Sequence, residues 1–120
     1  MNAQKISVAI ASAMAYLEEA IDSQAEMSEV IMLVWNAASD LEYGLFLFAL
    51  VDPESSSSSW KLPTSKQITT ESLLISTRKL LEEASKNLEE EDLKEVHKKT
   101  WLARGLLLKI HDFYEKNRGK

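Results

Sequence analysis

Asp52-Pro53-Glu54-Ser55-Ser56-Ser57-Ser58-Ser59-Trp60-Lys61-Leu62-Pro63 interrupts a chain that otherwise reads as helix almost from end to end. Pro53 disfavours the helical region for Asp52, so a helix arriving from the N-terminal side stops there. Five consecutive serines have little to bury and order poorly. The stretch 51–68 is expected to be a flexible loop that separates two helical halves. Loops longer than about 12 residues are usually functional or disordered. Trp60 is expected either to plug this one onto the protein or to stand out as an aromatic anchor for a partner.

Upstream of the break, Ile6, Ile10, Ala13, Leu17 and Ala20 recur at steps of four and three, which predicts a helix from Ala3 to about Ser23. Glu18, Glu19 and Asp22 fall late in it, where the helix dipole disfavours acids. Either the helix continues past residue 24 or basic groups from elsewhere face these acids. A second helix is expected from about Gln24 to Leu50. Met27, Ile31, Val34, Ala38, Leu41, Leu45 and Phe48 keep a heptad spacing, with Val30, Leu33, Ala37 and Leu47 on one flank and Met32, Trp35, Phe46 and Leu50 on the other. Only a narrow strip is polar. A helix apolar most of the way round is buried on more than one side. In one chain of 120 residues no helix is easily central, so the surplus apolar surface points to self-association or a bound partner.

Downstream, Leu74, Thr77, Leu80 or Leu81, Ala84 and Leu88 predict a third helix from Thr69 or Thr70 to about Glu89. Asp92 followed by Glu95 is a capping pattern that opens a fourth. Its core stripe is Val96, Thr100, Ala103, Leu107, Ile110 and Tyr114, and 117–120 reads as a frayed basic tail. Helices three and four are too close in sequence to be anything but an antiparallel hairpin. The expected fold is all-α, an antiparallel four-helix bundle made of two helical hairpins joined by the long Ser-rich loop, in a single domain over 1–120. Three Gly and two Pro leave too little turn chemistry for a sandwich or barrel.

Charge is unevenly placed. Residues 1–53 carry eight acids and one base, whereas Leu93–Lys120 carries eight bases and three acids. These halves can attract one another within the fold, or the fourth helix can offer Lys94, Lys98, Lys99, Arg104, Lys109 and Lys116 to a nucleic-acid backbone. The acidic pI of about 5.1 weighs against a free nucleic-acid binder. No targeting segment is evident, and the most apolar run, Tyr43–Val51, is too short for a membrane span of roughly 20 residues. A soluble cytoplasmic protein without a membrane partner is expected.

Chemistry-bearing motifs are sparse. With no Cys, thiol catalysis and thiolate metal sites are ruled out. His97 and His111 lack the Glu three residues upstream that bundle metal sites use, since Lys94 and Leu108 stand there, and no metal or other cofactor is expected. There is no phosphate-cradling glycine loop and no nucleophile elbow. One constellation remains. His97, Arg104 and His111 are spaced by seven and share one stripe of the fourth helix. An Arg can clamp a phosphodiester while a His moves a proton. The alternative is that their stems simply cover apolar surface.

Arg104-Gly-Leu-Leu-Leu-Lys-Ile-His111 fits Arg-x6-His, and in this it resembles the signature of the HEPN superfamily of helical-bundle domains. Val34-Trp35-Asn36-Ala37-Ala38 is similar to the second helix of its non-catalytic branches. The resemblance implies a dimer in which Arg104 and His111 of two subunits meet to cut RNA without metal. The reading preferred from the residues themselves is a non-enzymatic interaction module, most simply a homodimer. Its interface candidates are Met27, Ile31, Trp35, Phe46, Leu50, Trp60, Trp101 and Leu108. A metal-independent ribonuclease and an accessory subunit touching nucleic acid are the competing classes.

Overall fold

The computed structural model describes residues 2–22, 26–51 and 69–118. They form four helices: α1 (Asn2–Asp22), α2 (Met27–Val51), α3 (Thr70–Glu89) and α4 (Leu93–Arg118). Each helix begins or ends where local chemistry dictates. Thr69 caps α3: its Oγ1 accepts from the Ser72 backbone N–H while Ser72 Oγ accepts from the Thr69 N–H. Asp92 caps α4, its carboxylate accepting from the Glu95 N–H. α2 ends at Val51, directly before Asp52-Pro53. The continuous helix offered as one explanation for the late acids of α1 is not formed, because α1 ends at Asp22 and α2 begins at Met27. Glu18 and Glu19 are exposed, and water screens them from the dipole.

The turn between α3 and α4 is a Schellman closure. The Glu91 N–H donates to Leu88 O and the Asp92 N–H to Asn87 O, which satisfies carbonyls the helix end would leave open. The residue at the left-handed position of this motif is usually glycine. Here it is Glu91, with φ of 61°.

The spacing read from the sequence carries the core. Ile6, Ile10, Ala13, Leu17 and Ala20 of α1 are all buried, as are Val34, Ala38 and Leu41 of α2 and Leu74, Thr77, Leu81 and Ala84 of α3. α4 adds Val96, Thr100, Ala103, Leu107 and Ile110. α1 packs on α2 and on α3, and α4 packs on the same two helices, so α1 and α4 stand at opposite corners of the bundle.

Cross-helix neighbours fix the directions. Trp35 meets His111 and Phe48 meets His97, so α2 and α4 are antiparallel. Lys99 of α4 meets Asn87 and Glu83 of α3, again antiparallel. Gly44 of α2 lies against Ala9 of α1, so α1 and α2 are antiparallel too. α2 and α3 therefore run the same way, and α2 ends at the opposite end of the bundle from where α3 begins. This is the expected all-α bundle of two hairpins. Of the expected flexible stretch 51–68, Val51 ends α2 and 52–68, with Trp60, lie outside the described residues; of the expected frayed tail 117–120, 117 and 118 end α4 and 119–120 lie outside as well.

Candidate functional site

The outward side of α2 mixes polar residues with large apolar ones. Met32, Trp35, Phe46 and Leu50 are each more than half exposed, at 61%, 52%, 58% and 58%. Their spacing of three, eleven and four residues keeps them on one face of a 3.6-residue helix. On α4, Trp101 and Leu108 are seven apart and half-buried, on the solvent side next to α2. Between these two sets of apolar residues, α2 and α4 meet through a seam of polar side chains.

The seam is made by three residues of α4 that reach toward α2. Arg104, midway, donates through Nε to Glu42 Oε1. His97, two turns before it, stacks on Phe48 with ring centroids 4.7 Å apart and planes 8° from parallel. His111, two turns after it, tilts against Trp35 at 5.0 Å, and its Nε2 lies 3.9 Å from Glu115 Oε1. The stripe seen in the sequence thus exists, and it faces α2. An Arg104 free to clamp a phosphodiester would first have to leave Glu42.

The remaining sequence candidates separate by direction. Lys99 is half-buried and held by Asn87 and Glu83 of α3, 2.8 and 3.7 Å away. Lys94, Lys98 and Lys116 are exposed, and Lys109 is half-buried. Ile31 is half-buried and packs against the core, and the side chain of Met27 lies outside the described set. Among the described residues, no three metal-ligating side chains converge.

Sequence reasoning missed the Glu42–Arg104 pair and both His–aromatic contacts. Each depends on the register between α2 and α4, which no local pattern encodes. It also missed Asp40. One carboxylate oxygen of Asp40 is buried with no hydrogen-bond partner, at the floor of a shallow α1–α2 groove between Val8, Ser12 and Tyr43.

Comparison with known proteins returns nothing. No protein-family model, no curated protein and no solved structure matches the chain. The site must therefore be read from its own chemistry. Ser28–Leu50, with mean hydropathy 1.2, is by length and composition apolar enough to cross a membrane. In the fold, 39% of that window is buried against the other helices, and Glu42 within it is paired to α4.

Proposed function

We propose that this protein is a non-enzymatic assembly module that self-associates through the outer faces of α2 and α4. One observation carries the reading: Met32, Trp35, Phe46 and Leu50 stand more than half exposed along one face of α2, with half-buried Trp101 and Leu108 on the neighbouring α4. Large apolar side chains scattered singly are normal on a surface, but four of them sharing one helix face are a feature of interaction sites. A two-fold dimer would cover that face on both copies. At about 1 kcal/mol for each half-exposed side chain, the four residues of both chains regain on the order of 8 kcal/mol. That is comparable to the cost of immobilising a partner, so Trp101, Leu108 and the charges around them decide the affinity.

The test is the mass in solution by light scattering across protein concentration, for the parent and for Phe46→Glu. Phe46 is exposed and its replacement leaves the core intact. The expected result is a dimer that Phe46→Glu converts to a monomer with unchanged helical circular dichroism. A parent that stays monomeric at every concentration, or a folded Phe46→Glu of unchanged dimeric mass, refutes the proposal. Trp101→Glu serves as the second variant, with the same expectation.

A further inference from the structure

We infer that two copies dock with α2 of each chain against α4 of the other, about a two-fold axis parallel to the bundle. This rests on the self-association proposed above and adds its geometry. Two symmetric arrangements can cover the α2–α4 face. An axis lying across the helices would set α2 on α2 and α4 on α4. An axis along the helices sets α2 on the partner's α4, twice.

Charge separates the two. Met27–Val51 contains three acids (Glu29, Asp40 and Glu42) and no Lys or Arg. Leu93–Arg118 contains seven Lys and Arg against three acids. The crosswise arrangement would set a helix of net charge −3 against its own copy, and a helix of net charge +4 against its own copy. The lengthwise one brings opposite charges together. Like charges placed face to face are a strong selection against a wrong partner, whereas complementary ones fix register.

Height along the bundle agrees. Within one chain, Trp35 is level with His111, Glu42 with Arg104, and Phe48 with His97. Rotation about a lengthwise axis preserves those levels. It brings Phe46 nearly level with the partner's Trp101, and Trp35 within about one helical turn of the partner's Leu108. Ser39, exposed between Trp35 and Phe46, falls within about 3 Å in height of the partner's Gly105.

The chain contains no Cys, so engineered thiols report the geometry without background. Ser39→Cys and Gly105→Cys are made as separate full-length variants, and each is checked for dimeric mass. They are then oxidised alone and as an equal mixture. The expected result is a covalent dimer in the mixture at about tenfold the yield of either variant alone. Salt gives a second readout: the dimer dissociation constant should rise as sodium chloride is added, because attraction between α2 and α4 is screened. Dimeric variants in which Ser39→Cys alone crosslinks as well as the mixture overturn the lengthwise geometry and leave self-association standing. So does a dimer that tightens with salt, or one that crosslinks in no arm. A monomeric parent overturns the self-association itself.

Discussion

Glutamate is poorly suited to the position that closes the α3–α4 turn. Glu91 has φ of 61°, in the left-handed region, where a Cβ crowds the backbone at a cost of about 1–2 kcal/mol. Its neighbour Glu90 sits at φ −84°, ψ 1°, where a side chain is tolerated. The same substitution at these two adjacent sites should therefore have opposite signs. Glu91→Gly relieves the left-handed strain, less the extra freedom that glycine gives the unfolded chain, for a net gain of about 1 kcal/mol. Glu90→Gly has no strain to relieve and loses roughly 0.5–1 kcal/mol. Both changes remove one carboxylate from the end of α3, where the dipole disfavours it, so the charge effect cancels in the comparison. The expected gap is about 1.5–2 kcal/mol, or roughly 6–8 °C in Tm for a chain of this length. Thermal unfolding followed by circular dichroism at one fixed protein concentration measures it. Equal Tm values for the two variants, or a lower one for Glu91→Gly, would refute the reasoning.

Four further outcomes follow from packing. Thr100 is fully buried and its hydroxyl has no hydrogen-bond partner, so Thr100→Val should raise stability by about 1 kcal/mol in urea titration. Thr77→Val should give no such gain, because Thr77 Oγ1 already donates to Leu73 O at 2.7 Å. A Cβ added at Gly44 would lie 3.9 Å from that of Ala9, an ordinary contact, so Gly44→Ala should stabilise α2 by about 1 kcal/mol, and a loss would show that α1 and α2 sit closer than described. Leu107 is wholly buried, and Leu107→Ala should cost about 2–5 kcal/mol, seen as a fall in the urea midpoint at constant slope.

The hairpins and the core were legible in the sequence because both depend on local periodicity. Ile6 to Ala20 and Val96 to Ile110 face inward because steps of three and four leave no other face apolar enough. The Asp52-Pro53 stop is equally local. The capping box at Thr69 was only half legible, because Ser72 fills the place where Glu or Gln is the usual signal. The site was less accessible. Trp35, Phe46 and Leu50 are surplus to a one-sided helix, yet which of their neighbours turn outward depends on bundle rotation. Arg104 looked like a phosphate ligand in isolation, because Glu42 is 62 residues away in the chain. Only the level at which α2 crosses α4 brings the two together.

The order of helices around the bundle has a kinetic consequence. The contacts of α1 with α2 and of α3 with α4 join segments adjacent in the chain, and they can form as two independent units within microseconds. Joining the units needs α1 on α3 and α2 on α4, which closes a far longer stretch of chain. A hairpin from a second molecule presents the same surfaces as the hairpin covalently attached. Refolding at high concentration should therefore yield exchanged species, in which the helices of two chains complete each other's bundles. Dilution before refolding selects the bundle closed within one chain.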